Sequence, residues 1–302
     1  MVPSARTLQR LRLAALLAPV TLLLGAFFLV PLGIMATYSV LSPGLYGGVE
    51  WEFYPYNYGR ILGAPLGDVE EFDPAYLGIL LRSLRLAAVT VLVSLLIAYP
   101  AAFWVSRQTG TRKALALFLV TLPFFASLII RVYAWLIILR PTGFLNLALE
   151  ALGLVDQPLE LLFTEAAVIA GLVYILLPFM FLPVYASVEK LDPQLLQASH
   201  DLGATPLQTF RRVVLPLTLP GIVGGSIIVF IPAFGNFVVP ALLGGAKVML
   251  VGNTIEQQFL AARNWPFGAA LAMIVLATVL VLLLVYVLRL TRPGGDVAEG
   301  RA

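Results

Sequence analysis

Six apolar windows, at residues 13–38, 84–105, 114–139, 165–186, 219–243 and 267–289, set the limits on this fold. Each is long enough to cross about 30 Å of hydrocarbon as a helix. A bilayer core offers no water to satisfy backbone N–H and C=O groups, so such segments must bond internally. The pattern predicts an all-α membrane protein with six transmembrane helices in one domain over residues 1–302. Only 12% of the chain is charged, against about 25% in a soluble domain. The first window follows Arg6, Arg10 and Arg12, as in a signal peptide. Its apolar stretch outruns an h-region of about 7–15 residues, and no small-x-small cleavage site ends it. We read it as a retained span.

Basic residues orient the spans. With the N-terminus in the cytoplasm, twelve Lys and Arg fall on inner segments and six on outer ones, with Arg131 inside a span. This positive-inside bias predicts that both termini are cytoplasmic. The outer loop between spans one and two is too long for a plain connector. It carries Tyr46, Trp51, Phe53, Tyr54, Tyr56 and Tyr58, which suit either an interfacial aromatic belt or a surface for an external partner.

Several chemistries are excluded at once. There is no cysteine, and His200 is the single histidine, so no thiol chemistry, metal cluster or catalytic triad has its parts. No G-x-x-x-x-G-K-[ST] loop occurs, so the chain has no nucleotide site of its own. No catalytic residue, metal or cofactor is expected, and nothing points to nucleic acid.

The loop at 187–218 is polar between two apolar runs. Asp192-Pro193 reads as an N-cap followed by proline at the first helical position. That helix should stop at Gly203, the residue best able to adopt a left-handed C′ conformation. Thr205-Pro206-Leu207-Gln208 has the spacing of a capping box and opens a second helix, expected to end near Leu215-Pro216. The product is two short helices joined at a glycine corner. Leu195, Ser199 and Leu202 share one side of the first, with Leu196 and His200 adjacent. Leucines on a soluble tip call for a partner or for packing against the span ends. His200 reads as a solvated contact residue.

This loop resembles the E-A-A-x3-G-x9-I-x-L-P signature of the inner-membrane permease subunits of ABC importers. Gln197-Ala198-Ser199, Gly203 and Val213-x-Leu215-Pro216 keep both intervals, with Gln for Glu and Ser for the second Ala. The resemblance implies the type I importer permease fold and a multi-pass place in the bacterial inner membrane. It makes residues 193–209 a coupling helix seated on an ATPase subunit, with Gln197, Ala198, Ser199, His200, Asp201, Gly203, Leu215 and Pro216 as its marked positions. Partners follow: two ATP-binding subunits docking on 193–209, a second permease of PotC/PotI type, an external solute-binding protein and the lipid bilayer. Leu191-Asp192-Pro193, residues 215–221, residues 242–247 and Asn264-Trp265-Pro266-Phe267-Gly268 look like the spermidine/putrescine branch, the PotB/PotH type. So does Asn57-Tyr58 with Arg60. Permeases for opines, phosphonates, thiamine and ferric iron look similar.

The substrate path is sought where spans break. Pro232 and Gly235 disrupt span five beside Asn236, with Phe234 and Phe237 adjacent. The break lines a path or kinks a helix whose Asn bonds a neighbour. Arg131 is the ionisable residue well inside an apolar run, where a charge costs about 2.5–3.5 kcal/mol. Ser127 and Trp135 share its face. Arg131 lies past the midplane toward the outer side, where a long side chain can snorkel, so it either lines the path, with Trp135, or packs. Polyamine permeases show a similar Arg in the Leu-x-Ile-Arg-x-Tyr context, so its charge does not argue against a cationic substrate. A polycation favours carboxylates and aromatic faces, yet the spans hold almost no acids. In the putrescine-type pattern an acid often stands where this chain has Asn236. A secondary transporter is the competing reading, but such porters need intramembrane Asp, Glu or His.

Overall fold

The computed structural model describes residues 5–64 and 74–290. Six helical stretches among them are long and apolar enough to cross a bilayer: Ala15–Tyr38, Ala75–Ser106, Leu128–Ala151, Glu165–Glu189, Pro206–Gly235 and Trp265–Val285. The described residues divide into two compact units, residues 5–64 and Pro74 with 255–278, and residues 75–254 with 279–290.

The first unit opens with α1 (Ala5–Tyr38). A short β-hairpin is added to the helical fold. β1 (Leu41–Pro43) and β2 (Val49–Phe53) pair antiparallel, Leu41 facing Phe53 and Pro43 facing Val49, with a bulge after Leu41. A helix is not required outside the apolar windows, and Gly47 and Gly48, both at positive φ, let the chain reverse. The hairpin is tied to α2 (Tyr56–Leu62). Asn57 is buried there and its amide donates to Ser39 O, Leu41 O and Tyr54 O at 3.1, 3.0 and 3.3 Å. One buried side chain thereby ties three carbonyls to α2. The guanidinium of Arg60 lies 4.8 Å from the centroid of the Phe267 ring, so the residues Asn57, Tyr58 and Arg60 hold this unit together.

The second unit is built on α3 (Ala75–Ser106), α7 (Glu165–Glu189) and α10 (Leu215–Gly235). Leu86, Leu172, Met180, Phe181, Val229 and Phe234 form its core. Lipid tails are as apolar as leucine, so helices in a membrane associate through close packing over small residues. Gly221 and Gly225, a G-x-x-x-G pair, supply this on α10. Gly221 faces Pro183 O and Ser187 on α7, and a Cβ on Gly225 would stand 2.9 Å from Met180 Sδ.

Two spans differ from their windows. The third window, expected as one helix over 114–139, is α4 (Gly110–Thr121), a 3-10 turn at Leu122–Phe125 and α5 (Leu128–Leu139), and the stretch long and apolar enough to cross begins only at Leu128. Pro123 has no N–H to give and its ring excludes a regular preceding turn, so the helix breaks there. A short α6 (Phe144–Ala151) follows α5. The fifth, expected over 219–243, begins earlier and ends at Gly235. Past the break, Pro240–Gly244 forms a separate wide turn of π type. The chain closes with α11 (Val251–Leu260) and α12 (Trp265–Leu290).

Candidate functional site: a glycine corner and two broken spans

The loop after α7 forms as its caps dictate. α8 (Pro193–Asp201) starts where the Asp192 carboxylate accepts the Gln194 N–H at 2.9 Å. It ends in a Schellman motif. Gly203, at φ +78°, donates to His200 O at 2.8 Å, and Ala204 donates to Ser199 O at 3.0 Å. α9 (Pro206–Thr209) opens on a complete capping box between Thr205 and Gln208.

The second helix does not stop at Leu215-Pro216. It runs through a π turn at Phe210–Val214 directly into α10. Pro216 cannot donate to the carbonyl one turn earlier, and the wider π turn is how an unbroken helix absorbs such a misfit. Leu215 and Pro216 are therefore in the first turn of α10. The corner and α10 form one continuous helical path.

Within the corner the signature residues separate into two faces. Gln197, Ala198, His200 and Asp201 are exposed, and so are Leu195, Leu202 and Leu207, Leu202 by 88%. Ser199 turns the other way. It is buried, donates to Leu196 O at 2.8 Å, and lies 2.9 Å from the Thr209 hydroxyl. Behind the corner a cavity of about 260 Å³ is lined by Leu196, His200, Phe210, Val214, Phe103 of α3 and Arg107 just past its end. His200 is thus solvent-facing and at the edge of this cavity. Tyr99 joins α3 to α10 through its hydroxyl, 2.9 Å from that of Thr218, and its ring meets Phe210 edge-on. Near the same end of α7, Lys113 pairs with Glu189. That hydrogen bond raises the Lys113 ammonium above its ordinary value.

The span-five break lies where Pro232 and Gly235 place it, but its side chains do different things. Asn236 is extended and its side-chain Oδ1 accepts the Val239 N–H at 2.9 Å, so it caps the next helical turn. Gly252 presses against the break, where a Cβ would stand 2.5 Å from Asn236 O and 2.6 Å from Gly235 O. Asn253 donates to Phe237 O at 2.8 Å. Phe237 is half exposed. Phe234 is only 1% exposed and stacks on Phe230, so it belongs to the packing of α10 and not to an open face.

Arg131 occupies the first turn of α5, just after the break in span three. Its Nε and Nη1 are shielded and have no hydrogen-bond partner among the described residues. Trp135, one turn on, packs edge-on against Tyr174 of α7. A separate cavity of about 310 Å³, lined by residues such as Val91, Ser226, Phe230 and Leu282, includes none of the five candidate path residues. Sequence reasoning missed three participants: Thr209, Gly221 with Gly225, and Asn253. The G-x-x-x-G spacing was a readable signal for the second; the others become visible only through their partners.

The comparisons with known proteins agree on one family. The model for binding-protein-dependent transport system inner membrane components matches residues 92–293. The chain is 46% identical over 230 residues to the spermidine/putrescine transport system permease protein PotB of Escherichia coli K12, covering 76% of this chain and 80% of that one. It is 49% identical over 216 residues to PotB of Haemophilus influenzae, covering 72% and 75%. Among solved structures, a chain of a bacterial alginate ABC transporter, crystallised with an alginate pentasaccharide-bound periplasmic protein, superposes with TM-score 0.72 at 17% identity. The match covers 93% of this chain and 94% of that one. At that identity the likeness is one of fold.

Proposed function

This chain belongs to the family of binding-protein-dependent transport system inner membrane components, and on that premise we propose that it is the polyamine-translocating permease subunit of an ABC importer. It is a multi-pass protein of the inner membrane. Spermidine and putrescine are the proposed solutes, supported by identities of 46–49% to permeases named for them.

The observation that carries the mechanism is the corner at α8 and α9. It exposes Leu195, Leu202 and Leu207 while its second helix continues without interruption into α10. In the proposed machine this corner sits on an ATP-binding subunit, one for each of two permeases. A push on the exposed ridge is passed along a continuous helix to the break at Gly235–Phe237. The spans then rock between inward- and outward-open states around a site near the membrane middle. ATP is hydrolysed by the partners. An external binding protein delivers the solute, and a second permease of PotC/PotI type completes the path. Both termini lie in the cytoplasm, in keeping with twelve basic residues on inner segments against six on outer ones.

Residues Gln197, Ala198, His200 and Asp201 belong on the docking face, where the corner exposes them. Asn236 and Phe237 at the break, with Arg131 and Trp135 on α5, are the proposed neighbours of the path. The experiment is uptake of labelled spermidine in cells lacking their own polyamine importers, with the chain expressed alongside its ATPase, second permease and binding protein. Deletion of residues 193–209 should abolish both uptake and ATPase co-purification. Persistence of ATP-dependent uptake in the deletion would overturn the coupling assignment, and uptake of a different solute class would overturn the polyamine assignment.

A further inference from the structure

The hairpin of the first unit is held at both of its ends beside stretches that cross the membrane. Its base is fixed to the end of the first crossing stretch, Ala15–Tyr38. The Tyr54 N–H donates to Val40 O at 2.7 Å, and the Tyr58 hydroxyl donates to Ser39 Oγ at 2.7 Å. The Asn57 amide holds Ser39 O and Leu41 O as well. All of these acceptors lie within three residues of Tyr38, so no linker lets the hairpin swing away. Its turn is fixed too. The Gly48 N–H donates to Arg263 O at 3.0 Å, and Gly48 bridges Asn264. Asn264 directly precedes Trp265, where the sixth crossing stretch begins.

Six crossings taken in order bring the end of the first and the start of the sixth to the same side of the bilayer. A strand pair pinned beside Tyr38 at one end and beside Trp265 at the other runs along that surface, not out from it. The headgroup layer there extends about 5–8 Å past the hydrocarbon, and it is where Trp and Tyr rings concentrate.

The side chains suit that layer. Leu41 faces Phe53 while Ser42 faces Glu50, so Trp51 and Glu52 bulge out of the ladder with no partner on β1. Trp51 is 82% exposed, and Tyr46 and Phe53 are exposed with it. Glu50 instead folds back, its carboxylate accepting the Leu45 N–H at 3.4 Å. Rings that join an apolar body to a polar edge gain most where one end is dry and the other wet.

We propose that the hairpin lies in the headgroup layer, with Tyr46, Trp51 and Phe53 inserted among phospholipids, and that it sets the depth of the two span ends it joins. Phospholipid is the occupant because both anchor points belong to crossing stretches, and the hairpin continues the surface those stretches already share with lipid. The proposal needs only that the chain spans a membrane, and it stands whichever solute is carried.

The test uses the full transporter in native membranes, with photoreactive p-benzoyl-phenylalanine in place of Trp51 or of Phe53. After irradiation, mass spectrometry of the peptide carrying that position should find phospholipid adducts as the main product. A main product joined to the binding protein, to the second permease or to another segment of this chain overturns the proposal. A second measurement avoids the bulky residue. The fluorescence lost between the wild type and Trp51→Phe, both in phospholipid vesicles, is the signal of Trp51. Lipids brominated near the headgroup end of the acyl chain should quench that signal at least twofold, and lipids brominated near the methyl end should quench it less. A signal quenched by neither lipid places Trp51 in water, and one quenched more by the deeper bromine places it in the hydrocarbon; either result overturns the proposal.

Discussion

Ser199 and Thr209 hold each other across the glycine corner, their hydroxyl oxygens 2.9 Å apart and both side chains buried. The importer signature has alanine where this chain has Ser199. The hydroxyl gives the corner a tie that alanine lacks, between the exposed ridge of α8 and the helix that becomes α10. Each of Ser199→Ala and Thr209→Val should destabilise the protein by about 1 kcal/mol. The double variant should lose less than the sum, since both remove one interaction. Thermal unfolding of the purified protein in detergent measures this, and strictly additive losses would show that the pair is not coupled.

Gly203 stands at φ +78° and its N–H closes the Schellman turn on His200 O. A β-branched side chain in that conformation costs about 1–2 kcal/mol. Gly203→Val should therefore splay α8 from α9 and depress ATP-dependent uptake more than it depresses protein level in the membrane. Equal losses in both would make Gly203 a folding residue only.

Leu202 and Leu207 are exposed by 88% and 66%. Changing either to Ser should leave stability within about 0.5 kcal/mol, as for other surface sites. Co-purification of the ATPase subunit should nonetheless drop. Unchanged pull-down in both variants would remove this ridge from the docking face.

The α7–α10 crossing is sharply position-dependent. Gly221 abuts Pro183 O and Ser187, whereas nothing lies within 4 Å of where a Cβ would stand on Gly224. Gly221→Leu should cost at least about 1–3 kcal/mol by overpacking, and Gly224→Ala should be tolerated. Denaturation in mixed detergent compares the two, and similar curves would contradict the crossing.

Asn236 accepts the Val239 N–H through its side-chain oxygen. An aspartate makes the same cap and adds a negative charge at the span-five break. Asn236→Asp should keep the fold and lower the half-saturating spermidine concentration of uptake. Asn236→Leu loses the cap and should lower protein level. An Asp variant with unchanged concentration dependence would place residue 236 away from the solute.

Much of the site was legible because its signals are local. Asp192, Thr205 with Gln208, and Gly203 each act within a few residues, so the two helices and the corner could be drawn before any contact was known. The hairpin at Leu41–Phe53 was not drawn, since its pairing depends on the buried Asn57 reaching back 16 and 18 residues. Phe234 neighbours Asn236 in sequence, and helical rotation buries it against Phe230.

The sequence by itself determined that this chain has six stretches long and apolar enough to cross a membrane, that the fifth is interrupted, and that a capped corner stands between the fourth and the fifth. Those properties follow from hydropathy, proline and end-capping, which operate over one or two turns. Only the tertiary structure decided which side of the corner is a clamp and which is exposed, that the corner runs unbroken into α10, and that Nε and Nη1 of Arg131 meet no acceptor among the described residues. These depend on what each side chain meets from elsewhere in the chain, and packing geometry of that kind is not encoded in spacing alone.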